Sequence, residues 1–239
     1  MRKRGRKNEK NKELINLKKF SPSDPFSQMS RGGRKVAEGV LKIIEKNFGR
    51  KAENEDCIYY ATEPFDQLEV LDYLRMYFVD FSDVDSLIVS ANFEIFVDMK
   101  IGRKLEERRR KIERETEGIL SSLYEGDEEE MTKEIASFLL KEMKKGKRKE
   151  KIYPLLFRSM VSRLGIRCDV CTGFVSKQKY HLWNVVFFSN GERKYFDLIA
   201  ENKSIFRSYV DTTKSPHKVA GINHFLLKEE AKLFVEKNF

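Results

Sequence analysis

The sequence predicts an α+β fold, a helical N-terminal half followed by a helix packed on an antiparallel sheet, and three observations predict it. Apolar residues recur at helical spacing through the region 36–144. The pattern then changes to one short apolar helix over 152–164, followed by segments rich in β-branched and aromatic residues. Two of those segments are joined by Asn190-Gly191, a pair that suits a two-residue hairpin turn. The chain divides accordingly into a basic flexible arm (1–35), a helical region packing on the core (36–126) and the core itself (127–239).

Taken in order, the arm is low in apolar content, and Ser21-Pro22-Ser23-Asp24-Pro25 breaks any helix within it. Its cluster Arg2, Lys3, Arg4, Arg6 and Lys7 suits nuclear import or phosphate contact, and equally a solvated tail. Val36, Val40, Leu41, Ile44 and Phe48 form an apolar stripe closed by Gly49. Pro64 is expected to open a second helix, with Leu68, Leu71, Leu74 and Phe78 turned inward. Residues 85–101 fit helix or strand. A charged helix follows over 103–124, with Leu105, Ile112 and Ile119 on one side and Glu106–Arg110 and Glu107–Lys111 as i,i+4 pairs. Met131, Ile135, Phe138 and Leu139 mark another helix, which ends at the basic loop Lys144-Lys145-Gly146-Lys147-Arg148-Lys149.

The core begins with the helix over 152–164, which has Pro154 in its first turn and Gly165 as its stop. Strands are expected over 166–174, 181–189 and 192–199.

Composition bounds the function. Lys and Arg number 47 against 38 Asp and Glu, a formal +9, which favours a polyanionic partner, either nucleic acid or an anionic surface. No apolar run is long enough to span a membrane, and no apolar run follows the basic start as in a secretory signal. Three cysteines, an odd number, point to a reducing compartment. Cys168-Asp169-Val170-Cys171 spells a C-x-x-C, which suits zinc or a dithiol. Zinc wants four ligands, and on a strand the two sulfurs point to opposite faces, so buried core cysteines are the reading preferred. Neither a metal nor another cofactor is called for. His217 and His224 are isolated and expected at the surface.

One constellation is more specific. Leu156-Phe157, Leu164-Gly165-Ile166, Gly173-Phe174, His181-Leu182-Trp183-Asn184 and Tyr195-Phe196-Asp197 occur in that order. Over about residues 130–200 the chain resembles the transglutaminase-like superfamily, whose domains place a nucleophilic cysteine at the N-terminus of a buried helix. The resemblance implies a His at the start of one strand and an Asp on the next. The chemistry is coherent, because a helix N-terminus favours thiolate, His takes the proton and Asp fixes the His tautomer. The family's spacing places the nucleophile at Glu150, and no cysteine lies between Cys57 and Cys168. The triad positions Glu150, His181 and Asp197 are thus vestigial and the chain is expected not to be an enzyme. His181 and Asp197, brought side by side by the hairpin, become a polar network kept for packing.

Superfamily members without the cysteine include the XPC family of DNA-damage recognition proteins. Tyr209 to Pro216, Val219-Ala220-Gly221-Ile222-Asn223 and Lys228-Glu229-Glu230 are similar to the segments that follow the Asp strand there, with Asn223 in place of an acid. The β-hairpin domains that open damaged duplex in that family are expected to be missing from this chain, which the resemblance then makes a minimal or truncated relative. The resemblance implies a nuclear protein of nucleotide-excision repair that binds duplex DNA and a ubiquitin-like or UBA repair partner. The clusters Arg2, Lys3, Arg4, Arg6, Lys7 and Lys144, Lys145, Lys147, Arg148, Lys149 are the expected DNA contacts. A protein-interaction pseudoenzyme without a DNA role, or a hydrolase using another nucleophile, are the alternatives.

Overall fold

A computed structural model describes residues 13–23, 29–50, 57–80, 83–146, 152–176, 179–198, 210–212 and 218–222. Five α-helices and two antiparallel sheets are seen among them, an α+β fold.

Helix α1 (Arg31–Lys46) starts at Ser30, whose hydroxyl accepts from the Gly33 amide. The Ser30 amide in turn donates to the carboxylate of Glu69 at 2.8 Å. That carboxylate is on α2 (Gln67–Phe78), so the cap also ties two helices together. Gly32 is required by contact, because a Cβ there would lie 1.9 Å from the Pro64 carbonyl oxygen. Pro64 itself stays in the loop, and α2 starts three residues later, at Gln67, behind the N-cap Asp66. Leu71, Leu74 and Phe78 are buried as expected, whereas Leu68, in the first turn, is exposed.

The ambiguous stretch 85–101 resolves into a hairpin. Strands β2 (Ile88–Ala91) and β3 (Glu94–Val97) are joined by a turn with Asn92 at φ 56°, and β1 (Ile58–Tyr60) pairs with β3 from the other side. The helical region therefore carries a three-stranded sheet ordered β1-β3-β2. Val36, Ala37, Val40, Ile44, Leu74 and Ile95 belong to the core beneath it.

Helix α3 (Met99–Leu120), capped by Asp98, is the spine shared by both halves. Its Leu105 belongs to the first core, and Ile112 and Leu120 to the second. Glu106 pairs with Arg110 at 2.7 Å, and also with Arg109 at 2.8 Å, whereas Glu107 and Lys111 are not paired with one another. Helix α4 (Glu128–Lys144) puts three glutamates in its first turn and Lys141 and Lys144 in its last, matching the helix dipole.

The second half is built on α5 (Tyr153–Arg163), with Pro154 in its first turn and Gly165, at φ 76°, ending it. It packs on a sheet ordered β7-β6-β5-β4-β8. These strands are β4 (Arg167–Ser176), β5 (Lys179–Phe187), β6 (Arg193–Asp197), β7 (Val210–Thr212) and β8 (Lys218–Ile222). The strand that ends at Gly221-Ile222 does not pair with the strand before it but crosses to β4.

The arm expected over 1–35 does not extend across those residues. Ile15 is 3% exposed and its amide donates to the Leu123 carbonyl, and Lys19 pairs with Glu125. The Ser23 amide donates to the Ser162 carbonyl, and Ser21 passes close enough to Gly165 that a Cβ there would meet its carbonyl oxygen at 2.8 Å. Residues 31–35 are already the start of α1. Local sequence offered few apolar residues here, and Ile15 is held by a core formed far along the chain.

Candidate functional site

The strands that carry the expected triad residues lie beneath α5. Leu182 and Val186 of β5 and Phe196 and Leu198 around β6 share the core with Leu156, Phe157 and Met160 of α5. Between Leu182 and Val186 on the same face is Asn184, fully buried. Its amide nitrogen donates to the Pro154 carbonyl in the first turn of α5 at 2.9 Å and to the Asp169 carbonyl at 3.3 Å, and reaches Cys168 Sγ at 3.8 Å. A buried side chain thus fastens the start of the helix to two strands, which fixes where the helix N-terminus stands over the sheet. Asn184 closes the motif His181-Leu182-Trp183-Asn184, and no local pattern singles it out from Trp183.

The opposite face of the sheet carries a second, smaller cluster, Cys171, Trp183, Val185 and Tyr195. Cys168 and Cys171 are therefore on opposite faces, as the period of a strand requires, and cannot share a ligand or close a bond to one another. Burial pushes the Cys168 thiol well up, and Asp169 beside it adds to the effect. Such a thiol stays protonated and unreactive at neutral pH.

The register corrects one expectation about the triad. Asn184 stands opposite Phe196, so continuing the pairing sets Asp197 opposite Trp183, with His181 two residues further along β5. His181 and Asp197 are diagonal neighbours rather than side by side, because a directly opposed pair needs a hairpin centred on Ser189, midway between them, whereas the observed pairing is centred on Asn190. Asp197 is 1% exposed and pairs across β7 with Val210. His181 has Gly173 as its partner on β4. The side chain of His181 and the whole of Glu150 lie outside the described residues.

Of the expected DNA contacts, Lys144 is the last residue of α4 and Lys145 its C-cap, paired with Glu142 at 2.7 Å. Lys147, Arg148 and Lys149, together with Arg2, Lys3, Arg4, Arg6 and Lys7, lie outside the described residues, as do His217 and His224.

A division of charge accompanies the two sheets. Residues 57–98, which hold the small sheet and α2, contain nine Asp and Glu against one Arg. The other 197 residues therefore carry 46 Lys and Arg against 29 Asp and Glu. Summed over the chain, the formal +9 conceals an acidic stretch and a strongly basic remainder.

No family model matches the chain, and no curated protein matches it. Among the described residues no helix is long and apolar enough to cross a membrane.

Proposed function

We propose that the protein is a catalytically inactive transglutaminase-like domain that binds duplex DNA, serving damage recognition or scaffolding in nucleotide-excision repair in the nucleus. The observation that carries the DNA reading is the charge division, since a remainder of 46 cations against 29 anions exceeds what solubility asks of a domain. The order of helix, hairpin strand with His181-Leu182-Trp183-Asn184 and Asp strand supports the superfamily reading. Inactivity is supported by Glu150 at the nucleophile position and by the burial of Cys168 and Cys171. A ubiquitin-like or UBA partner follows from the family resemblance alone.

The test is duplex binding across a salt series. Neutralising about four to six phosphates gives a slope of log K against log salt of roughly −4 to −5. Changing Arg2, Lys3, Arg4, Arg6 and Lys7 together to Gln should flatten that slope without altering sequence preference. This variant is preferable to truncation at residue 19, which would remove the buried Ile15. Weak, salt-independent binding by the intact protein would defeat the DNA reading in favour of a partner-binding pseudoenzyme. Amide or ester turnover that iodoacetamide abolishes would overturn the claim of inactivity.

A further inference from the structure

Four large apolar side chains are exposed on one small sheet: Tyr60 is 61% exposed, Val89 64%, Phe93 54% and Phe96 39%. The register arranges them. Val89, Phe96 and Ile58 form one row across β2, β3 and β1, and Ala91, Glu94 and Tyr60 form the next. Phe93 is in the β2–β3 turn. The other face, with Ile88, Ile95 and Val97, is already used by the core. From this geometry we propose that the exposed face, with the β2 edge, is a docking surface for an extended segment of a partner protein that adds to the sheet as a strand and carries an apolar and a basic residue two positions apart.

Size, charge and the edge each select that occupant. The three rings expose about 300 Å² in all, taking roughly 200 Å² for a whole aromatic side chain. With Val89 the patch is as large as the largest on ordinary monomers, yet about half of what each partner contributes to a standard interface. A second copy or a rigid globular face would need more. Neither row contains a basic residue, and the sheet belongs to the acidic stretch 57–98, so a phosphate backbone is repelled. Most acids of that stretch are engaged. Glu63 pairs with Lys35, Asp85 with Arg75 and Asp83 with Lys104, and Asp66 and Asp98 cap helices. Glu94, on the exposed face, has no cation partner among the described residues.

The edge supplies the direction. β2 is the last strand of its sheet, and no described strand pairs with its outer side. A strand added there sets alternate side chains beside Val89 and Ala91. Beside Val89 an apolar side chain continues the row to Phe96. Beside Ala91 the small methyl leaves a lane through which a lysine reaches Glu94 on the next strand. The ligand signature is thus apolar-x-basic, with spacing set by the period of two.

The experiment uses the full chain and two labelled synthetic peptides, Thr-Ile-Thr-Lys-Thr-Ile-Thr and its counterpart with Glu in place of Lys, followed by fluorescence polarisation. The Lys peptide should bind about fivefold more tightly than the Glu peptide, Glu94→Lys should reverse that preference, and Val89→Ser with Phe96→Ser should weaken both. All three positions are exposed, so circular dichroism melts should match the parent. Methylating alternate backbone nitrogens of the Lys peptide should abolish binding. Failure of Glu94→Lys to change the preference, or no binding of either peptide at millimolar concentration, overturns the proposal. Concentration-dependent dimerisation lost in Val89→Ser would assign the face to a second copy instead. Binding of oligo(dT) lost in Phe96→Ser would assign it to single-stranded nucleic acid.

Discussion

Replacing Asn184 by Leu keeps the branched four-atom skeleton of a fully buried side chain and removes its donors. The Pro154 and Asp169 carbonyls, now reached at 2.9 and 3.3 Å, lose that partner. Each buried hydrogen bond lost costs about 1–2 kcal/mol, partly offset because the Asn amide, whose Oδ1 finds no partner among the described residues, no longer needs desolvation. A net loss of about 2–3 kcal/mol is expected, seen as a lower urea midpoint with unchanged slope and a fall in Tm of about 5–10 °C. Asn184→Asp provides a second reading with a defined sign. It aims a carboxylate at two carbonyl oxygens, so the folded state favours the protonated form and the folded pKa is raised. The group then stabilises the fold below its unfolded pKa, near 3.9, and that contribution is lost as pH rises through the folded value. The Asp variant should approach the parent near pH 4 and fall behind it toward pH 7. A Leu variant within about 0.5 kcal/mol of the parent, or an Asp variant with no such trend, would refute the role given to Asn184.

Two further outcomes follow from the first half of the molecule. Burial pushes the Glu106 carboxyl up, but hydrogen bonds from Arg109 and Arg110 outweigh it and hold it below the usual range. Its contribution is present above the unfolded pKa, near 4.3, and lost as pH falls through the lower folded value. Glu106→Gln should therefore cost about 1–3 kcal/mol at pH 7, with the gap to the parent closing between pH 5 and pH 3 in denaturant titrations. Gly32→Ala and Gly118→Ala should move in opposite directions in thermal melts. The first drives a Cβ into the Pro64 carbonyl, while the second meets nothing within 4 Å and gains about 1 kcal/mol of helix propensity.

Features that reside in a few adjacent residues could be read from the sequence alone. The helix over 153–163 follows from Pro154 at its start, Gly165 at its end and the apolar run between, all local preferences. The β5–β6 hairpin follows from Asn190-Gly191, where Gly191 takes φ 85° without strain. The opposite facing of Cys168 and Cys171 follows from the period of two. The lack of any cysteine between Cys57 and Cys168 is a matter of residue identity alone.

The tertiary structure decided what depends on distant partners. Residues 88–97 have apolar content suited to helix or strand, and became a hairpin through pairing with β1 thirty residues earlier and packing over α1. Ile15, in a segment poor in apolar neighbours, is buried because Leu123 and the second core receive it. β8 crosses to β4, a choice of edge that no periodicity encodes. Asn184 holds the helix to the sheet only because the fold brings Pro154 and Asp169 to its amide, thirty and fifteen residues away. Periodicity specifies which face of an element is apolar. What that face meets is set by the summed burial and hydrogen bonding of the whole chain, and these are satisfied together only once the chain has closed on itself.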